Sequence, residues 1–304
     1  MTTYTNRFTW SKSRDDSFRK CPRMYYFQYY GSWGGWSEDA DERTKKIYVL
    51  KQLQTRQMWA GKKVHECIKN VIEKIRHNTK TISAQESIEQ TLALMRKEFL
   101  NSKKEGYWTE PKSCGFFEHE YKLPVPDSEW KNTADHVVTC LNTFFNSNIY
   151  RTILQLPREQ WLEVEKLSSF PYSGIEVFVM LDFAFREDQE IVIYDWKTGK
   201  EEPGNHKIQL ACYGLYAVKQ WSVKPQQVKT VEFYLASSNQ REHYLEEKEL
   251  HSFRQYLEES VKNMKDLLDD EAANTASEER FAFVNNEKFC QYCNYYKICP
   301  RWTH

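Results

Sequence analysis

Residues 174–200 read GIEVFVMLDFAFREDQEIVIYDWKTGK, two apolar runs that each lead into charged residues. The runs, Ile175 to Phe185 and Ile191 to Trp196, are rich in β-branched and aromatic residues, which favour strands. Glu187-Asp188 between them is typical of a turn. We therefore predict a tight antiparallel hairpin.

Three charged side chains stand at the ends of these predicted strands. Alternation places Asp182 away from the most apolar face of the first strand, whereas Asp195 and Lys197 share a face of the second, about 6 to 7 Å apart along it. In a tight hairpin Asp182 and Asp195 can converge, and two carboxylates are enough to hold a hard divalent cation. Such a cation would activate water and neutralise a phosphodiester, while Lys197 could orient that water or stabilise the transition state. The alternative is a solvated strand end, because D-x-K also occurs by chance.

The residues around the hairpin predict an α/β fold with a mixed central sheet. A β-like run from Trp161 to Leu167 precedes it. A helix from about Asn205 to Lys219, a strand from Val228 to Leu235 and a final helix at about 250–270 follow it.

Upstream of the sheet the apolar period changes to that of helices. One helical pattern runs from Ile47 to His77, with a bend predicted at Gly61, and two more lie near 83–102 and 129–147. Residues 14–30 form a basic, aromatic helical segment interrupted at Pro22. The sequence thus predicts a helical lobe before the sheet.

The hairpin segment resembles the catalytic hairpin of PD-(D/E)XK nucleases of the RecB/AddB group, in which one Asp precedes a D-x-K-T-G strand. Gly61-Lys62-Lys63-Val64-His65 is similar to the G-x-x-x-H motif of that family, and Gln209-Leu210-Ala211-Cys212-Tyr213 to its Q-x-x-x-Y motif. Both spacings place the two ends of the motif on one helix face. The motifs occur in the order found in the family.

The resemblance implies a site and a reaction. Asp182, Asp195, His65 and the backbone carbonyl of Trp196 would bind Mg²⁺ or Mn²⁺, and Lys197 would position the attacking water. Gln209 and Tyr213 would line the active site as further catalytic residues. Glu163 and Glu165 on the preceding strand are candidate additional acids, although paired acids on a strand are often its solvated face.

The chain has eight cysteines, and their spacing is informative because a reducing compartment disfavours disulfides. Cys290, Cys293 and Cys299 lie within ten residues, which favours a ligand over plain buried thiols, and Cys21 is the candidate fourth partner. A zinc site of the same four thiolates is an alternative. The arrangement resembles that of the iron-sulfur nucleases, which include AddB, the CRISPR adaptation nucleases and eukaryotic exonuclease five, and this implies a [4Fe-4S] cluster. The other four are expected to be free, mostly buried thiols: Cys67, Cys114, Cys140 and Cys212.

Basic and aromatic residues interleave in the N-terminal segment. Arg14, Arg19, Lys20 and Arg23 alternate with Phe and Tyr residues between 18 and 30, a combination suited to phosphate contacts and base stacking on single strands. The alternative, which we favour for most of the aromatics, is that they pack around the cluster. No P-loop sequence is present, so any unwinding would need a helicase or integrase-type partner protein.

Composition limits the classes of protein. The 304 residues carry 43 basic and 43 acidic side chains and a mean hydropathy of −0.78, which excludes histone-like bulk attraction to nucleic acid and argues against a membrane span. The first residues contain no apolar run, so we expect no signal peptide and a cytoplasmic protein.

We expect one nuclease domain over 1–304, divided as follows: an N-terminal cluster segment at 1–35, a helical lobe at 45–150, a nuclease core at 160–272 and an iron-sulfur segment at 285–304. By resemblance the substrate would be DNA with free or single-stranded ends, cut by an exonuclease of DNA repair, CRISPR adaptation or antiphage defence. The rival prediction is a DNA-end-binding or scaffolding subunit without catalysis.

Overall fold

The computed structural model of the chain describes residues 5–79, 82–201 and 206–302. In that part of the chain six strands form one mixed sheet, in the order β1-β3-β4-β5-β6 with β2 paired to β3. The strands are β1 (Thr9–Trp10), β2 (Trp161–Tyr172), β3 (Ile175–Glu187), β4 (Glu190–Lys197), β5 (Val228–Tyr234) and β6 (Asn239–Tyr244). The predicted α/β architecture with a mixed sheet is confirmed.

Strands β3 and β4 form the predicted antiparallel hairpin, with Phe183 opposite Tyr194 and Glu187 opposite Glu190. Asp188 in the turn has φ 52°, a conformation that Asp tolerates better than most residues. Strand β5 lies parallel to β4, with Lys197 next to Tyr234, so the ends of both strands meet at one edge of the sheet.

Strand β3 is longer than its neighbours, and this creates an opening beside it. Along one edge β2 pairs with most of its length. Along the other, β1 pairs with Glu176 and Val177, while β4 pairs only from Phe183 onwards. Within the described residues no strand pairs with 178–182 on that edge. The acid Asp182 lies in this gap.

Ten α-helices surround the sheet in the described part of the chain. They are α1 (Lys12–Lys20), α2 (Pro22–Tyr26), α3 (Glu42–Gln52), α4 (Arg56–Arg76), α5 (Ala84–Lys103), α6 (Phe117–Glu120), α7 (Asp127–Asn146), α8 (Asn148–Gln155), α9 (Lys207–Trp221) and α10 (Glu247–Lys265). Helix α2 continues as a π-helix over Phe27–Gly31, and the predicted break at Pro22 is confirmed. Asn205, at the start of the predicted helix that corresponds to α9, lies outside the described residues.

The helices form a layer on each face of the sheet. On one face α4, α7 and α8 pack with Phe183, Val192 and Trp196 in one apolar core. On the other, α9 and α10 pack with Val177, Leu181 and Ile193 in a second core. The helical lobe expected from the sequence thus shares its core with the sheet.

The prediction of one helix from Ile47 to His77 with a bend at Gly61 is wrong. The chain breaks at Leu53 to Thr55, and Gly61 lies inside the continuous helix α4. The break arises because Gln54 leaves the helix to bond with the segment before α6: its N–H donates to the carbonyl of Gly115 at 3.1 Å. The Thr55 side chain then caps α4 by accepting from the backbone N–H of Met58.

The sequence analysis missed β1 and β6. Strand β1 is only two residues long, and β6 reads NQREHY, a mostly exposed edge strand without an apolar face. Neither carries the alternation on which strand prediction depends.

Candidate active site

Helix α4 brings His65 to the sheet edge near the gap beside β3. Its Nδ1 atom lies 2.9 Å from Glu165 Oε1 and 3.4 Å from Asp182 Oδ1, and its Nε2 atom lies 3.0 Å from the carbonyl oxygen of Trp196. Gly61 lies one turn earlier, where a Cβ atom would come within 3.0 Å of Thr198 Oγ1. The small residue therefore lets the end of β4 approach the helix.

Glu165 reaches this cluster through an unusual backbone conformation. Its φ is 43°, in the left-handed region that non-glycine residues seldom adopt, and the carbonyl oxygen of Glu165 accepts a hydrogen bond from Lys69 Nζ at 3.2 Å. The conformation interrupts the alternation of β2. Glu163 instead points to the opposite layer, where its carboxylate accepts hydrogen bonds from Ser168 and from Tyr216 of α9. The two acids thus do not form one solvated face.

The regular alternation of side chains between the two faces of the sheet is also interrupted in strand β3. Leu181 packs in the core beside α9, whereas Phe183 packs in the core beside α4. Asp182 lies at this transition, and it is buried. Its Oδ2 atom accepts a hydrogen bond from the backbone N–H of Trp196 at 2.6 Å, which ties the carboxylate to β4.

The side chains of His65, Glu165 and Asp182 offer three ligand atoms within 4.8 Å of one another. The carboxylate oxygens suit Mg²⁺ and Mn²⁺, whereas the Trp196 carbonyl lies against His65 Nε2, the ring nitrogen that faces away from the two carboxylates. Burial alone would lower the pKa of His65, but the charges of Asp182 and Glu165 outweigh it and raise that pKa well above its usual value. The residues present therefore fit a divalent cation, which would take the place of the imidazolium proton between the carboxylates.

Asp195 and Lys197 lie on the other side of this edge, facing α9. Lys197 Nζ is in ion-pair contact with Asp195 and donates a hydrogen bond to Gln209 Oε1 at 3.0 Å. The amide nitrogen of Gln209 donates in turn to the Tyr213 hydroxyl at 2.6 Å. Burial, followed by the charge of Asp182, raises the pKa of Asp195. Gln209 and Tyr213 thus hold the lysine, while Asp195 lies outside the group formed by His65, Glu165 and Asp182.

The family is evident from comparison with known proteins. The family model of the PD-(D/E)XK nuclease superfamily matches residues 9–300. The chain belongs to that superfamily. A matching solved structure, described as "Crystal structure of SSO0001", is 17% identical, with 59% of this chain and 80% of that chain covered at a TM-score of 0.30. No curated protein matches the chain.

Membership in the PD-(D/E)XK superfamily indicates a nuclease, a phosphodiester hydrolase that acts on DNA with Mg²⁺ or Mn²⁺. The predicted nuclease family is therefore confirmed at this level. None of the helices in the described part of the chain has both the length and the apolar character that a membrane span requires.

One site residue of this nuclease was missed by the sequence analysis. His136 of α7 lies with its Nε2 atom 2.8 Å from the carbonyl oxygen of Thr198 and so helps to hold the segment after Lys197. A lone histidine on a predicted helix gives no signal of such a role. Only the packing of α7 against α4 brings it to the end of β4.

The four cysteines singled out by spacing line one cavity. Cys21 lies there with Cys290, Cys293 and Cys299, surrounded by apolar side chains such as Met24 and Phe27. Burial, followed by the charges of the neighbouring thiols, raises the pKa of Cys293 to about 12. Among the described residues no three of these sulfur atoms lie within 4.8 Å of one another.

Proposed function

We propose that this protein is a metal-dependent DNA nuclease whose metal is held by His65, Glu165 and Asp182, with Asp195 and the carbonyl of Trp196 as the further ligands that the family resemblance implies. The observation that carries the proposal is the group of His65, Glu165 and Asp182, with ligand atoms within 4.8 Å, at the same sheet edge as the Asp195–Lys197 pair. A bound Mg²⁺ or Mn²⁺ would lower the pKa of a ligated water and neutralise charge on a phosphodiester.

The role of Lys197 follows from its contacts. Its ammonium group contacts the Asp195 carboxylate and donates to the side-chain oxygen of Gln209. These two contacts fix the direction of the third N–H donor of the ammonium group. A cation held in this way can orient the attacking water or stabilise negative charge on the phosphate in the transition state. Gln209 acts as a positioning residue because its side-chain oxygen accepts a hydrogen bond from Lys197, and Tyr213 supports it by accepting a hydrogen bond from the Gln209 amide nitrogen.

The resemblance to the RecB/AddB group supports a more specific proposal for the kind of DNA that is cut. We infer an exonuclease that acts on single-stranded or free DNA ends in DNA repair, CRISPR adaptation or antiphage defence. We also infer a helicase or integrase-type partner protein, of which a helicase would supply any unwinding, because the sequence has no P-loop of its own.

We also propose that Cys21, Cys290, Cys293 and Cys299 hold a [4Fe-4S] cluster. The shared cavity supports this proposal, since its apolar walls would shield a cluster. A zinc ion held by the same four thiolates is the alternative, and metal analysis of the purified protein distinguishes the two.

Replacement of Lys197 by Ala tests the nuclease proposal. Cleavage of end-labelled single-stranded and duplex DNA should require Mn²⁺ or Mg²⁺, stop in EDTA, and fall by at least about 100-fold in Lys197→Ala, because one charge-stabilising group is removed. Whether the label at the 5′ end or the one at the 3′ end is lost first shows the direction of cleavage. Lys224→Ala is the control, since Lys224 lies next to β5 at the opposite end from Lys197. Tight DNA binding without cleavage by the wild type under every metal would contradict the proposal.

A further inference from the structure

A groove of about 500 Å³ opens beside the unpaired stretch of β3 and leads to the catalytic lysine. It is lined by Arg14, Tyr29, Leu167, Met180, Gln209 and Tyr213, among others. Gln209 contacts both Lys197 and Asp195, so this groove reaches the Lys197 side of the active site. Its two walls differ in chemical character.

The first wall is cationic, and its charges are not compensated. The guanidinium of Arg14 lies 4.2 Å from the ring centre of Tyr29 and donates to the carbonyl of Thr9 at 3.1 Å. Lys51 is not one of the residues that line the groove, but its Nζ lies 5.6 Å from the centre of the same ring. Among the described residues no carboxylate pairs with either cation, whereas neighbouring Lys12 and Arg19 pair with Asp16 and Asp15.

Lys51 is half-buried, and a charge with little access to water is destabilising when no counter-ion lies beside it. Burial lowers the pKa of Lys51, and the nearby charge of Arg14 lowers it further. Two cations around one ring repel each other in the free protein. An anion between them or beside them would relieve that repulsion and form charge-assisted hydrogen bonds.

The second wall is apolar and exposed. Leu167 of β2 and Met180 of β3 are cross-strand partners, and 64% and 47% of their respective surfaces are exposed to solvent. Large apolar side chains that lie together at the surface often mark a binding site. These two side chains offer a surface for the flat faces of bases, and Tyr29 offers a ring close to both cations.

We propose that this groove binds the single strand of DNA that flanks the scissile phosphate, with Arg14 contacting a phosphate, Lys51 adding positive potential beside Tyr29, and Leu167 and Met180 contacting bases. The proposal rests on the nuclease function proposed above and adds the path of the substrate strand. A strand has charge along one side and apolar base faces along the other, and the two walls of the groove match that division. Neither pair of residues touches the metal-binding group, so all four act in substrate binding.

The test is binding without cleavage. The probe is a fluorescently labelled single-stranded oligothymidylate, bound in EDTA, with anisotropy measured over a series of salt concentrations. Arg14→Gln should weaken affinity several-fold and reduce the slope of log affinity against log salt by about 0.7, the value for one lost phosphate contact on a single strand. Lys51→Gln should reduce affinity and slope by less, because it removes positive potential and no direct contact. Arg14→Lys should keep most of the slope. Lys224→Gln, an exposed cation remote from the groove, should leave both quantities unchanged.

The apolar wall gives a second, independent readout. The double variant Leu167→Ser/Met180→Ser should weaken affinity several-fold with an unchanged salt slope, because it removes apolar contacts and no charge. Thermal melting of each variant checks that the protein is folded, and a purely structural role of Arg14 would change the melting temperature and not the salt slope.

An unchanged slope and affinity in both Arg14→Gln and Lys51→Gln would overturn the proposed strand path, even if the wild type cleaves DNA normally. Failure of the nuclease proposal is a different result, in which the wild type cuts no DNA with any metal. Because binding is measured in EDTA, its result does not depend on whether the protein cleaves DNA.

Discussion

The carboxylate of Glu165 contacts His65 because the backbone at Glu165 has φ 43°. A left-handed non-glycine residue inside a strand costs on the order of 1 to 3 kcal/mol, so it persists only where surrounding contacts hold it. Lys69 donates to the Glu165 carbonyl and is one such contact. A metal-binding role for this cluster of acids would explain why the backbone strain is retained.

We predict that Glu165→Gln lowers metal-dependent cleavage by more than about 100-fold, because loss of a direct ligand should exceed the 10- to 100-fold effect of an outer contact. The variant should also lose the rise in melting temperature that Mg²⁺ or Mn²⁺ gives the wild type. At a metal concentration about 100 times the Kd that rise corresponds to about 2.7 kcal/mol. Differential scanning fluorimetry with and without metal measures it.

Glu163→Gln is the matched control two residues away. Its carboxylate contacts Ser168 and Tyr216 and not the metal-binding group, so the variant should lose about 1 to 3 kcal/mol of stability and keep its thermal response to metal. A normal metal response in Glu165→Gln, or a lost one in Glu163→Gln, would show that the wrong acid has been assigned.

At the scale of elements, helix α1 is held by one buried acid. Asp15 is 0% exposed and accepts hydrogen bonds from Tyr256 and Ser260 of α10, while Arg19 pairs with it from the next turn of α1. This network positions Arg14, which precedes Asp15 in the chain, at the wall of the groove. It also joins the start of the chain to a helix near its end.

We predict that Asp15→Ala lowers the free energy of unfolding by about 3 kcal/mol, because the buried Ser260 hydroxyl and the partly buried Tyr256 hydroxyl lose their acceptor. Urea denaturation followed by circular dichroism measures the change. Asp16→Ala should change stability by no more than about 1 kcal/mol, since Asp16 is exposed and pairs only with Lys12. Equal effects of the two substitutions would contradict the assigned role of Asp15.

At the scale of the whole molecule, the two ends of the chain meet at the cysteine cavity and its surroundings. Arg23 donates to the carbonyl of Phe281 and to Glu278, both at 2.8 Å. A cluster that joins Cys21 to Cys290, Cys293 and Cys299 would close a loop of nearly the full chain. Cross-links that close long loops restrict the unfolded state most.

We predict that Cys293→Ser abolishes absorbance near about 400 nm and iron content in anaerobically purified protein, because it removes one cluster thiolate. The melting temperature should fall as the link between the chain ends is lost. Cys114→Ser is the control, since Cys114 lies outside the cavity and its sulfur accepts a hydrogen bond from Gln54 that a serine oxygen could also accept. Bound zinc and colourless wild-type protein would contradict the cluster.

The sequence by itself determined the β3–β4 hairpin, the mixed sheet and the nuclease superfamily. These depend on local information: strand alternation, turn residues, and the spacing of Asp182, Asp195 and Lys197 relative to the other motifs. The tertiary structure decided which acid joins His65. Alternation predicts that Glu163 and Glu165 share a face, but the left-handed residue in β2 and the change of phase in β3 send their side chains to opposite layers.

The groove was also decided by the tertiary structure. The basic and aromatic residues of the N-terminal segment were visible in the sequence, but their partners were not. Asp15 and Asp16 neutralise Arg19 and Lys12, while Arg14 and Lys51, which are 37 positions apart, are left around one tyrosine ring. Which charges remain unpaired depends on contacts between residues distant in sequence, and only the packed fold specifies those contacts.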